Sequence, residues 1–184
     1  MTRTPPIRTA LLLPVPGAEP AISSHRKALD LAAADGIPAH VTITYPFRAL
    51  DEIDDEVHAR LGRLGAATAP IEVEGRRTAW FGDSVLYVEL TRTEAVLDLI
   101  SRTAEAFPGC PPYGGDIPLD EIVPHITVGH SHPVPELREA AEAVDAALSI
   151  RDVIDQLELW AGPAPEGRTT PAPWRRVRSY RLGG

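Results

Sequence analysis

Cysteine, lysine and asparagine are almost missing from this 184-residue chain, and aromatic residues make up only 5% of it. The single cysteine, Cys110, excludes an internal disulfide framework and fits a reducing compartment. It stands before Pro111 and Pro112 with no basic neighbour, so it reads as a small packing residue, not a reactive thiolate. No apolar run approaches the length of a bilayer span. Residues 9–15 are apolar and follow Arg3 and Arg8, but Pro14 and Pro16 interrupt them and patterned sequence continues directly. They read as a first strand rather than an export signal, and the expectation is a soluble, cytoplasmic protein with no membrane partner. One lysine, Lys27, stands against seventeen arginines; that bias fits a GC-rich genome and carries no functional weight.

Positive charge is also short overall. The net charge of −8 argues against long duplex nucleic acid as a ligand. The distribution is uneven, however. Five arginines and no acid follow Glu166, which leaves −13 on residues 1–166. That basic end is either the solvent face of a last strand or an edge that meets an anionic substrate.

An apolar fraction of 43% is enough for one core, and the length suits a single domain over residues 1–184. Periodicity predicts strands over 7–15, 40–45, 69–80, 84–91, 125–128, 152–161 and 173–182. Helices are predicted around 20–34; over 51–64 with Ile53, Val57, Leu61 and Leu64 inward and Gly65 as a stop; after Thr93 with Val96, Leu97, Ile100 and Ala104; and from Pro135 with Leu137, Ala141, Val144 and Leu148. Gly82-Asp83 predicts a hairpin turn. In this reading strand, helix, histidine strand, helix, strand occurs twice, over 7–75 and 84–161, with the strand 173–182 left over. Two similar lobes related by an approximate two-fold axis bring the histidine strands face to face.

Those strands carry the chemistry. His40-Val-Thr42 and His125-Ile-Thr127 each place an imidazole and a hydroxyl on one face of a strand, because side chains alternate. Alternation also puts Thr44 with His40, and Val41, Ile43 and Tyr45 on the other face. Two imidazoles and two hydroxyls converging on one point suit metal-independent phosphodiester cleavage, with no cofactor. One neutral histidine takes a proton, the other gives one to the leaving oxygen, and threonine hydroxyls hold the phosphate. A lone His-x-Thr is weak evidence; two copies in matching places are much less expected by chance.

At these residues the chain resembles the two-histidine (2H) phosphoesterase superfamily, in its branch of 2′,5′ RNA ligase-like and cyclic phosphodiesterase-like proteins. The matching text is GIPAHVTITYPF from Gly36 to Phe47 and PHITV from Pro124 to Val128, flanked by LPVP at Leu13 and PPYGG at Pro111. The resemblance implies an α+β, bilobal fold with two pseudo-symmetric lobes of antiparallel β-sheet lining a central cleft and helices outside. It implies that His40 and His125 are catalytic and that Thr42 and Thr127 bind phosphate. The substrate it implies is a small nucleotide or short RNA end, carrying a 2′,3′-cyclic phosphate, a cyclic phosphate of ADP-ribose, or a 2′,5′ linkage.

Other residues near the motifs carry chemistry of their own. Tyr113, on the Pro/Gly loop before the second motif, and Arg48, just past the first, are candidate substrate contacts. His130 and His132 follow His125, which raises a zinc hydrolase as a rival. Regular alternation sends His130 to the opposite face from His125, and His132-Pro133 belongs to the next turn. A second rival is a nucleotide- or RNA-binding module without turnover. Gly82-Asp83-Ser84 reads as a turn rather than an esterase motif, and His25 and His58 read as solvent-facing. Trp80 and Phe81, like Tyr113, are candidates to stack on a nucleobase, though such aromatics more often pack in a core or at a rim; Trp160 and Trp174 read as packing against the C-terminal strands.

Overall fold

A computed structural model of the chain describes residues 7–165 and 168–183; Arg3 and Glu166 lie outside the described residues. The elements run β1 (Ile7–Pro14), α1 (Glu19–Leu29), α2 (Leu31–Ala34), β2 (His40–Thr44), α3 (Asp55–Ala66), β3 (Ile71–Phe81), β4 (Val85–Leu90), α4 (Glu94–Ala106), β5 (His125–His130), α5 (Val134–Ala147), β6 (Ile150–Ile154), β7 (Gln156–Pro163) and β8 (Arg175–Arg181). They form an α+β architecture of two antiparallel four-stranded sheets, ordered β2-β1-β7-β8 and β5-β4-β3-β6. No helix among the described residues is long and apolar enough to cross a membrane.

The sheets do not follow the contiguous halves of the sequence. β3, which ends the first half, pairs with β4 in the second sheet, and β7, which ends the second half, pairs with β1 in the first. Helices cross over in the same way: α1 packs on β5, and α4 packs on β2. The single strand predicted over 152–161 is in fact two. β6 pairs with β3 and β7 with β1, so the chain changes sheets at Asp155, whose carbonyl accepts from the Leu182 amide at 2.7 Å. This exchange buries one shared core that draws Leu11, Leu13, Ile43 and Leu159 from one sheet and Leu86, Ile126 and Val128 from the other. Burial of that kind is the main driving force for the fold.

Local differences from the sequence reading have local causes. The helix predicted over 20–34 breaks at Asp30, which takes an extended backbone. Asp30 caps α2 through Oδ1, which accepts from the Ala32 amide at 3.0 Å, while Oδ2 accepts from Arg26 at 2.8 Å. The Arg26 side chain is only 2% exposed, and its remaining reach goes to the Ile37 carbonyl. The predicted start at Asp51 is a 3-10 turn, and α3 begins after Asp54, which caps the Val57 amide. Gly65 does not stop α3: it lies inside the helix, where a Cβ would come within 2.8 Å of the Arg181 carbonyl of β8. Thr93 sits at the N-cap of α4 but makes no side-chain cap, and the buried face is Val96, Leu99, Ile100 and Thr103. Gly82, at φ +58°, makes the β3–β4 hairpin as expected.

Two outcomes follow from the contact between α1 and β5. A Cβ on Gly129 would fall 2.6 Å from Leu137 Cδ2 and 2.9 Å from Leu29 Cβ. Gly129→Ala therefore costs about 1–3 kcal/mol in urea unfolding, as overpacking does. Arg26→Ala leaves the buried Asp30 carboxylate without its cation and costs about 3–5 kcal/mol by the same measurement.

Candidate active site

β2 and β5 are the edge strands of the two sheets, and they pack against each other. His40 and His125 therefore meet across one groove, close enough that the charge of His125 acts on His40. Each ring is hung in the same way. His40 Nδ1 lies 2.7 Å from the Pro38 carbonyl oxygen, and His125 Nδ1 lies 2.8 Å from that of Val123. A carbonyl only accepts, so each Nδ1 carries the proton and donates it two residues back along the chain. In the neutral ring Nε2 is then left with its lone pair.

Both motifs carry a β-bulge at the same offset. Along β2, Thr42 pairs with Leu12 but Thr44 pairs with Leu11, so Ile43 is the extra residue. Along β5, Thr127 pairs with Tyr87 but Gly129 pairs with Leu86, so Val128 is extra. A bulge reverses the alternation beyond it. This corrects three expectations. Thr44 does not share the face of His40; it is fully buried. Tyr45 does not face away, but lines the groove beside His40 and Thr42. His130 does not oppose His125, but lines the same recess as His125 and Thr127. Tyr45 and His130 each stand five residues after a catalytic-candidate histidine, and that shared offset is the signal alternation overlooked.

Two recesses flank the histidine pair. The one on the His40 side includes Thr42, Tyr45, Asp35, Leu12, Ile37 and Trp174. The one on the His125 side includes Thr127, His130, Phe81, Ile117, Glu121 and Ile122. Tyr113 lines both. It holds a left-handed backbone, φ +52°, a costly conformation for a tyrosine, and Gly114 and Gly115 continue with positive φ. Phe81 and Tyr87 box the His125 ring, with centroids 4.9 and 5.2 Å away. Phe81 is thus a wall of one recess, and Trp174, expected only to pack against the C-terminal strands, is a wall of the other. The Trp174 indole lies flat on Gly162, and its N–H donates to the Pro163 carbonyl at 3.1 Å.

Burial sets the protonation of the pair. His40 is pushed down from 6.5 to about 3, first by desolvation and then by the nearby Arg26 guanidinium, with the Pro38 bond opposing. His125 is also lowered by desolvation, partly offset by its bond to Val123. Desolvation disfavours the charged imidazolium, so both rings are poised to be neutral near pH 7.

Arg48 is not brought to this groove. Phe47 anchors in the core edge-on to Phe107, and Arg48 turns over the Phe107 ring at 5.7 Å, in a separate recess with Arg8, Glu52 and Cys110. His58 is not simply solvent-facing, since its Nδ1 lies 2.6 Å from the Tyr180 hydroxyl. His132 lies 3.6 Å from Glu136 on the next helix. No three His, Cys, Asp or Glu side chains among the described residues group as metal ligands.

Comparison with known proteins bears on the family and the fold. A protein of Geobacillus thermodenitrificans that carries a provisional phosphoesterase name is 27% identical over 141 residues, which is 74% of this chain and 77% of that one. A similarly named protein of Geobacillus kaustophilus is 28% identical over 134 residues, covering 71% and 70%. Among solved structures, TT0787 of Thermus thermophilus matches with a TM-score of 0.60 at 18% identity, over 96% of this chain and 98% of that one. E. coli LigT complexed with NADP+ matches with a TM-score of 0.57 at 15% identity, over 98% and 100%. LigT complexed with 3′-AMP gives 0.56 at 14%, with the same coverage. At those identities the structures speak for the fold alone. The model of the 2'-5' RNA ligase superfamily matches residues 14–163, both histidine motifs included, and the chain belongs to that superfamily.

Proposed function

We propose that the protein is a metal-independent phosphodiesterase that opens the 2′,3′-cyclic phosphate of a nucleotide-sized substrate or cleaves a 2′,5′-phosphodiester. His40 and His125 act as the general acid–base pair, and Thr42 and Thr127 as phosphate donors. The observation that carries this is the matched suspension of the two imidazoles across one groove, each with Nδ1 tied to the carbonyl two residues back.

The roles divide by environment. His40 is the more deeply depressed and feels the Arg26 charge, so it stays neutral and accepts at Nε2 the proton of the attacking water. The water oxygen bonds to phosphorus as the bond to the leaving oxygen breaks. His125 is lowered by desolvation and partly restored by its bond to Val123, and in this reading it is the ring that takes up a proton as the anionic diester binds. It then gives that proton to the leaving oxygen, so the product is a ring-opened phosphomonoester and the net change is addition of water. Threonine hydroxyls, two residues from each histidine, donate to the non-bridging oxygens and hold the phosphorus in line. Tyr113, shared by both recesses, is a substrate contact in this reading. Structures of LigT with 3′-AMP and NADP+ support a nucleotide-sized ligand for this fold.

The tests are kinetic. His40→Ala and His125→Ala each lower kcat/KM on adenosine 2′,3′-cyclic phosphate by about 10²–10⁴-fold with unchanged circular dichroism, the usual worth of a general acid or base. Near wild-type turnover in either variant defeats the mechanism. Wild-type activity persists in excess chelator. Binding of the cyclic nucleotide without any product, over a panel of diesters, would mark a binding module instead. The pH dependence has a definite sign: His125 must be protonated and its pKa lies below the ordinary 6.5. Hence kcat/KM falls as pH rises above 6.5, approaching about tenfold per pH unit, while the acid limb from His40 sits far lower. A kcat/KM that climbs between pH 6.5 and 8.5 contradicts this division of roles.

A further inference from the structure

The groove is short of positive charge outside its histidines. Among the described residues lining the two recesses, the carboxylates are Asp30, Asp35 and Glu121, and there is no lysine or arginine. The loop from Tyr113 to β5 carries Asp116, Asp120 and Glu121, and no lysine or arginine occurs between Arg102 and Arg138. Two arginines neutralise two of these carboxylates, Asp30 and Asp35, and leave Glu121 as the one without a cation beside it among the described residues. Arg26 is buried against Asp30 and the Ile37 carbonyl. Arg168 binds Asp35 with Nη2 at 2.5 Å. Arg77 of β3 is held by Glu89, and Arg176 of β8 by Glu158. The remaining walls are largely uncharged, with Phe81, Ile117 and Ile122 on one side and Leu12, Ile37 and Trp174 on the other.

One phosphate charge is well served here, between two imidazoles and two hydroxyls. A second phosphate one nucleoside away enters a recess with no lysine or arginine in its lining, and on the His125 side it meets the Glu121 carboxylate, which has no cation beside it among the described residues. Like charges repel over a Debye length of about 10 Å at 0.1 M salt, a range comparable with the size of a nucleoside.

We propose that the groove selects diesters whose only charge is the scissile phosphate, of the class of nucleoside 2′,3′-cyclic monophosphates with a bare 5′-hydroxyl. It discriminates against the same nucleosides carrying a second phosphate, and Glu121 sets that discrimination on the His125 side. This deepens the phosphodiesterase reading and rests on it.

The test compares adenosine 2′,3′-cyclic phosphate with its 5′-phosphorylated form, at low and high salt. The 5′-phosphate lowers kcat/KM at least about tenfold at low salt, and high salt narrows the gap, as screening requires. Glu121→Gln narrows it at low salt as well. Equal or faster turnover of the 5′-phosphorylated substrate overturns the proposal and leaves the phosphodiesterase reading standing. If that preference disappears in His130→Gln, the imidazole is the group that takes the second phosphate. Turnover of neither substrate, nor of a 2′,5′-linked dinucleotide, defeats the phosphodiesterase reading itself. Charge selection is then decided by calorimetric binding of adenosine 3′-monophosphate against adenosine 3′,5′-bisphosphate: weaker binding of the bisphosphate upholds it, and equal or tighter binding overturns it.

Discussion

Each imidazole of the pair donates its Nδ1 proton to a carbonyl of its own chain, two residues upstream. That bond fixes the tautomer and the ring plane without recruiting any other side chain, so the orientation of Nε2 is written into the strand itself. A histidine held in this way needs no partner carboxylate to present a basic nitrogen. The surrounding burial then decides its proton affinity, and it does so unequally: His40 meets both desolvation and a guanidinium, His125 desolvation alone as a depressing influence. Two chemically identical side chains acquire different tendencies from their settings, which is what acid–base division of labour requires.

The groove exists because the sheets trade strands. With β3 in one sheet and β7 in the other, neither half of the chain completes its own layer, and the two lobes share one core. Edge strands are ordinarily a liability, yet here β2 and β5 are covered by each other and by α4 and α1. Gly129 lets α1 approach β5 closely, and the Arg26–Asp30 pair sits where α1 ends. The same close approach puts Arg26 near His40, so a packing requirement and the depressed proton affinity of His40 share a cause.

The bulges at Ile43 and Val128 extend the site beyond the motif. Each turns the residue five places after its histidine into the groove, a tyrosine on one side and a histidine on the other. One copy of the repeat thus has an aromatic wall where the other has an imidazole. A chain with two similar histidine motifs acquires in this way two unlike recesses on either side of its histidine pair.

Much of this was legible in the order of residues. His-x-Thr twice, on predicted strands in matching places of two similar patterns, was enough to name His40, Thr42, His125 and Thr127 together, because two-residue alternation is local and depends only on the backbone. The hairpin at Gly82 and most of the helix faces were readable for the same reason. Alternation failed at Tyr45, Thr44 and His130, since a bulge depends on pairing with β1 and β4 and leaves no trace in the strand's own pattern. Gly65 as a stop and an unbroken helix over 20–34 both fail because the deciding contact comes from elsewhere: the Arg181 carbonyl against Gly65, and the Arg26 side chain and Ala32 amide on Asp30. Arg48 lies six residues past Thr42 of the first motif, yet Phe47 in the core carries it elsewhere. The sequence alone determined that two His-x-Thr motifs lie on strands in matching places; which sheet holds each strand, which recess each side chain enters and how far each histidine is depressed were decided only by tertiary contacts, because burial and charge at a site are set by residues remote in the chain.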